Sequence, residues 1–240
     1  MSKVEHGANL FELASKYGFN IDEIMDFSSN INPFGASPKA LSEISKNPNL
    51  VSIYPDPSYT ELKQAISTYT HVAEDNILLG SGATGLISGF IKYVHPQNSM
   101  ILSPAYSEYK RELTKINSNI FELFLSESNE FKPDIASIID YSNSNKCDLI
   151  VICNPNNPTG SILTSEEIKQ ILQNTDAYIL VDETYIEFTD QSIYSSSVLV
   201  DEFSKLFVIR GTSKFFSTPG IRLGYALSSD SNIKSYLQSD

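Results

Sequence analysis

The sequence predicts an α/β fold with a mostly parallel sheet, preceded by an N-terminal arm. Three observations lead there: short continuous apolar runs, helical periodicity between them, and polar motifs that follow several of the runs directly. Continuous apolar runs suit strands buried on both faces, as in a parallel sheet covered by helices. Ligands of such sheets sit beyond the carboxyl ends of the strands.

Taken in order, Leu10, Leu13, Ala14 and Tyr17 carry a helical spacing that Gly18 stops, and Asp26 to Gly35 is a turn-rich stretch read as an ordered arm. Ser58 with Glu61 forms a capping-box pattern ahead of Leu62, Ala65, Ile66 and Tyr69; Thr164 with Glu167 repeats it ahead of Ile168, Ile171 and Leu172. The predicted strands are Ile77–Leu79, Met100–Leu102, Ile120–Leu125, Leu149–Cys153, Tyr178–Val181, Leu206–Ile209 and Leu223–Leu227. Ser and Asn cluster from Tyr141 to Lys146, in what reads as a loop.

The chain has 240 residues, 41% of them hydrophobic, enough to bury a substantial core in one large domain or two small ones. Its formal net charge of -12 argues against nucleic acid or an anionic membrane as partner, because either needs a broad basic surface. Cys147 and Cys153 have neither the paired spacing nor the neighbouring histidines of a zinc site, so a reduced, cytoplasmic protein with no metal is expected. The segment from Met1 to His6 lacks an apolar core, and neither secretion nor membrane anchoring is expected.

Against this acidic background, Phe203 to Ser229 contains no Asp or Glu but carries Lys205, Arg210, Lys214 and Arg222, which suggests a small bound anion. Lys214 follows Ser213 and precedes Phe215 and Phe216. An amine shielded by apolar groups and flanked by Arg210 and Arg222 loses its proton more easily and can attack a carbonyl. Arg222 stands behind Pro219-Gly220, where a turn brings it back to the anion held by Ser213.

Four other motifs each leave two readings open. Leu78-Leu-Gly-Ser-Gly-Ala-Thr-Gly-Leu-Ile87 is either a tight strand-to-helix turn or a phosphate cradle, and it matches neither the P-loop nor the dinucleotide pattern. Asn154-Pro-Asn-Asn-Pro-Thr-Gly160 is a rigid polar turn whose amides serve either a ligand or their own backbone. Asp182, ending an apolar run, is either a helix cap or a carboxylate awaiting a cationic partner; Tyr106 is either packing or a platform for a ligand ring.

Together, Gly80 to Thr84, Asn154 to Gly160, Asp182 to Tyr185, and Ser213-Lys214 with Arg222 resemble, in order, the class I/II pyridoxal-phosphate-dependent aminotransferases of fold type I. The branch it is most similar to holds histidinol-phosphate aminotransferase and threonine-phosphate decarboxylase; His6-Gly-Ala-Asn9 and Asp26 to Gly35 resemble the decarboxylase, with Ala8 where the family motif has a second glycine. The resemblance implies a large domain with helices on both faces of the sheet over residues 41–240, and an arm with part of a small domain over residues 1–40. The family's C-terminal small domain, with its carboxylate-binding arginine, has no counterpart in this chain.

The same resemblance implies pyridoxal 5'-phosphate as cofactor, held by Lys214 as a Schiff base, with Asp182 at the ring nitrogen. It assigns Asn157 and Tyr185 to the phenolic oxygen, Tyr106 to the ring face, and Ala83, Thr84, Ser213 and Arg222 to the phosphate. It also implies a homodimer in which Tyr54 reaches the neighbouring subunit's phosphate, and places Asn32 and His6 at a small phosphorylated amino-acid substrate. Decarboxylation of a phosphothreonine-like substrate is expected, with histidinol-phosphate-like transamination or a non-catalytic coenzyme-binding fragment as alternatives.

Overall fold

The computed structural model describes residues 9–238. The helices are α1 (Leu10–Tyr17), α2 (Pro38–Lys46), α3 (Thr60–Thr70), α4 (Ala83–Val94), α5 (Ser107–Lys115), α6 (Ile135–Ser144), α7 (Ser165–Asn174), α8 (Gln191–Tyr194) and α9 (Ser231–Gln238). The strands are β1 (Ile77–Gly80), β2 (Asn98–Ser103), β3 (Asn119–Phe124), β4 (Leu149–Cys153), β5 (Tyr178–Asp182), β6 (Leu206–Gly211) and β7 (Gly224–Leu227). Every strand predicted from an apolar run is present, with boundaries moved by at most two residues.

The strands form one seven-stranded sheet in the order β1-β7-β6-β5-β4-β2-β3. β3, β2, β4, β5 and β6 pair in parallel, whereas β7 is antiparallel to both β6 and β1. Alternation along each strand explains why the runs are continuously apolar. In β4, Ile150 and Ile152 pack with Ile138, Ile168 and Ile171 of α6 and α7 on one face. Leu149, Val151 and Cys153 pack on the other face with Phe90 and Ile91 of α4 and Leu113 of α5. Helices cover both faces, as the parallel reading requires. β3 is the exception: as an edge strand it leaves Phe124 74% exposed, so it is not buried on both faces as its sequence suggested.

Local signals fare unevenly. Gly18 caps α1 in the left-handed region at φ 71°, and the Thr164–Glu167 capping box forms in full. The Ser58–Glu61 box does not form; Asp56 instead accepts from the backbone amides of Ser58 and Thr60, both at 2.9 Å. A carboxylate four residues ahead of the first amide thus displaces the predicted serine. The Ser/Asn-rich segment read as a loop continues α6 as far as Ser144.

The arm crosses the sheet's carboxyl edge. Asn32 donates its amide to the Lys214 carbonyl at 3.0 Å and its side-chain Nδ2 to the Phe215 carbonyl at 3.0 Å, tying arm and lysine segment together. Much of its apolar surface faces outward, with Met25, Phe27 and Phe34 all strongly exposed. Among the described residues, no helix is long and apolar enough to cross a membrane.

Candidate active site

Six separated segments, five at strand ends and one in the arm, meet at one cavity of about 380 Å³ at the carboxyl edge of the sheet. β1 delivers Ala83 and Thr84 at the start of α4, β2 delivers Tyr106, and β4 delivers Asn157. β5 delivers Asp182 and Tyr185, and the turn from β6 to β7 delivers Ser213, Lys214 and Arg222. The last group reaches this edge because β7 runs antiparallel, so its beginning lies where its neighbours end.

One end of the cavity is built for an anion. Gly82, just ahead of α4, has φ 83°, and a Cβ there would stand 2.7 Å from Nη2 of Arg222. The guanidinium therefore lies directly against the glycine loop, next to the open amides of a helix N-terminus. Gly224 permits the approach from below: a Cβ on it would meet the Gly82 carbonyl carbon at 2.6 Å. The glycine-rich loop is thus both a tight turn and one wall of the cavity.

Another part of the lining is acidic. Asp182 is 4% exposed, and its carboxylate is held by neutral donors. The Thr184 amide donates to Oδ1 at 3.0 Å, joined there by the Thr184 hydroxyl, and the Tyr109 hydroxyl donates to Oδ2 at 2.7 Å. A buried carboxylate satisfied only by neutral groups is suited to a ligand atom that brings a proton. Asp182 is therefore no helix cap; it faces the cavity.

Lys214 lines the same cavity, with Nζ 6.0 Å from the centre of the Tyr185 ring. Burial lowers its pKa, and the charge of Asp182 opposes that shift. The apolar screen is not the predicted one, since Phe215 packs edge-on against Phe188 at 5.1 Å and Phe216 against Tyr69 at 6.2 Å. Burial also raises the pKa of Tyr106 and Tyr185, keeping both hydroxyls protonated as donors. Asn30 of the arm donates to the Tyr185 hydroxyl at 3.5 Å.

Arg210 is a correction. It does not flank Lys214; its guanidinium is buried against Glu183, with Nε and Nη2 each 2.9 Å from Oε2. It also bonds Gln191 at 2.9 Å and the Ser195 hydroxyl. Strand alternation is the reason: Val181 and Val208 face one core and Leu180 and Ile209 the other, so Asp182 falls on the cavity side while Glu183 and Arg210 fall opposite. Part of the basic cluster is therefore neutralised inside the fold. Lys205 likewise donates to the Asp176 carbonyl rather than to a ligand.

Two of the remaining predicted residues, Asn32 and Tyr54, do not line the main cavity. Asn32 lines a neighbouring cavity of about 650 Å³, with its amide on Phe215 and its Oδ1 accepting from the Phe34 amide at 3.0 Å. Tyr54 is 97% exposed in the connection ahead of α3. His6 lies outside the described residues. Sequence reasoning missed Tyr109, Thr184 and Ser28 to Ile31, all of which line the main cavity. Ser28 to Ile31 sit inside the turn-rich stretch already singled out, while Tyr109 carries no signal beyond a helical apolar spacing.

An anion cradle, a lysine amine of lowered basicity and a buried carboxylate, all within one cavity, match the donor needs of pyridoxal 5'-phosphate: phosphate, aldehyde and ring nitrogen. Residues 22–240 match the family model for aminotransferase class I and II. The histidinol-phosphate aminotransferase of Methanosarcina barkeri is 32% identical over 233 residues, which cover 97% of this chain and 63% of that protein. A Caldanaerobacter subterraneus protein provisionally named as a threonine-phosphate decarboxylase is 37% identical over 238 residues, covering 98% of this chain and 62% of that one. The solved histidinol-phosphate aminotransferase of Clostridium acetobutylicum superposes with a TM-score of 0.81 at 32% identity, over 90% of this chain and 64% of its own. The chain spans 62% to 63% of the length of these two curated relatives. It belongs to the class I and II aminotransferases, a family that depends on pyridoxal 5'-phosphate.

Proposed function

We propose that this chain carries the coenzyme site of an enzyme that decarboxylates a small phosphorylated amino acid of the phosphothreonine type. The observation that carries the coenzyme assignment is the meeting of Lys214, Asp182 and Arg222 in one cavity. The 37% identity to the Caldanaerobacter protein, together with the arm motif, favours decarboxylation. A second reading, transamination of a histidinol-phosphate-like substrate, is supported by the Methanosarcina and Clostridium relatives.

In this reading Arg222, Ser213 and the amides of Ala83 and Thr84 bind the coenzyme phosphate, and Tyr106 packs on the ring. Asn157 and Tyr185 donate to the phenolic oxygen. The coenzyme, when bound, supplies an electron sink for charge developing at the substrate α-carbon. Asp182 holds a proton at the ring nitrogen and so strengthens that sink. Lys214, made less basic by burial, would hold the coenzyme at its aldehyde carbon, the oxygen leaving as water, and would move a proton at the α-carbon. Residues 1–40 are assigned to an arm with part of a small domain, and residues 41–240 to the coenzyme domain. Asn32 and His6 are placed at the substrate.

The proposal includes a cytoplasmic homodimer in which the exposed Tyr54 completes the phosphate site of the other copy. The outward apolar side chains of the arm supply a surface for that contact.

The test has two stages. Pyridoxal 5'-phosphate added to the chain should give a visible absorption band, and borohydride should fix the label on Lys214. An unlabelled Lys214, or an undiminished label in Lys214→Ala, would sink the coenzyme assignment. O-phosphothreonine should then release carbon dioxide; amino-group transfer from histidinol phosphate to a 2-oxo acid, without such release, would select the second reading.

A further inference from the structure

Asp182 is held from two sides by different parts of the chain. Oδ1 is bonded within its own turn, by the amide and hydroxyl of Thr184. Oδ2 is bonded from another element altogether, by the Tyr109 hydroxyl of α5 at 2.7 Å. Tyr109 is 0% exposed, and its ring meets the Tyr106 ring edge-on at 5.6 Å.

A phenolic hydroxyl has one proton to give. Burial and then the charge of Asp182 push the pKa of Tyr109 well above its ordinary value, so that proton stays in place. Cys153, the register partner of Asp182, also touches the Tyr109 hydroxyl, but its thiol donates to the Pro155 carbonyl at 3.2 Å rather than to the carboxylate, and the Tyr109 hydroxyl stands 2.7 Å from Oδ2 of Asp182. Burial, followed by the charge of Asp182, pushes that thiol up to about 12, so it adds no second negative charge.

From this arrangement we infer that Tyr109 is a positioning residue for Asp182. With Thr184 alone, the carboxylate would hang by one oxygen and rotate about its Cβ–Cγ bond. Tyr109 fixes the second oxygen and so aims its remaining lone pair into the cavity. It also supplies a charge-assisted hydrogen bond where water cannot replace it. The inference rests on the coenzyme reading of the cavity, because only a ring atom bearing a proton makes the aim of Asp182 matter.

Tyr109→Phe removes the hydroxyl and keeps the ring packing. Two probes separate the effects: pyridoxine 5'-phosphate, which lacks the aldehyde and so cannot bond Lys214, and its analogue with a C–H group in place of the ring nitrogen. Calorimetry gives the affinity of each. Native protein should prefer the pyridine, and Tyr109→Phe should reduce that preference by about tenfold or more while leaving the analogue unchanged. An unchanged preference, or equal weakening toward both probes, would make Tyr109 mere packing and overturn the inference while the coenzyme reading stands. If native protein binds neither probe, the coenzyme reading falls and the inference with it. Should Tyr109→Phe fail to fold, 4-fluorophenylalanine at position 109 fills the space of the hydroxyl but has no proton to give. It should lower the preference in the same way, and an unchanged preference would again overturn the inference.

Discussion

Glu187 lies just beyond Tyr185 in the short turn Ile186–Phe188 and is buried, with neither carboxylate oxygen hydrogen-bonded to another residue. The guanidinium of Arg210 is committed to Glu183, Gln191 and Ser195 and bonds no oxygen of Glu187. Burial raises the pKa of Glu187 from 4.5 to about 7; the charge of Glu183 adds to the shift, and that of Arg210 opposes it. In the unfolded chain this carboxyl ionises near its ordinary value, whereas in the fold it keeps its proton to about neutrality. Its contribution to stability is therefore fully present below about pH 4.5 and is lost as the pH rises to about 7.

A gap of that size corresponds to roughly 3 kcal/mol. Glu187→Gln removes the titration and keeps the shape. Urea unfolding of both proteins from about pH 4.5 to about pH 8 should show the variant gaining roughly 2–3 kcal/mol relative to the native chain across that range. Other titrating groups are common to both proteins and largely cancel in the difference. The amide's own fit shifts the difference by a constant, so the slope with pH is the readout. A difference that does not change with pH would refute the reasoning.

Gly224→Ala should destabilise by about 1–3 kcal/mol in chemical unfolding, because its new Cβ meets the Gly82 and Ala83 backbone, which cannot rotate away. Gly85→Ala, with open space at the same helix start, should instead gain about 0.5–1 kcal/mol. Thr164→Ala and Asp56→Ala should each cost about 1 kcal/mol of stability, whereas Ser58→Ala should be nearly silent. Lys214 should be modified by an amine-directed reagent at lower pH than surface lysines, as read by mass spectrometry. Asp182→Asn, which removes the opposing charge, should move that profile lower still.

The legible part of this protein is local. Apolar runs announced all seven strands because each is flanked by helices or turns of different periodicity. The Thr164–Glu167 box was readable because cap and partner lie within one turn. Asp56 was not, since a carboxylate and a serine both stood within reach of the α3 amides and only the backbone path chose between them. Motif order indicated that Ala83, Asn157, Asp182 and Lys214 belong together, and strand ends delivered them to one edge.

What the sequence by itself determined is therefore the class of fold, the family and the residues that carry charge into the cavity. Tertiary structure alone decided which charges face it. Arg210 and Lys214 are four residues apart in a basic run, yet strand alternation turns Arg210 toward Glu183 in the opposite layer. The antiparallel course of β7 brings Arg222 back against Gly82, and Tyr109 meets Asp182 across 73 positions of chain. Such contacts depend on strand direction and order, which are fixed by packing among distant segments and leave no trace in local periodicity.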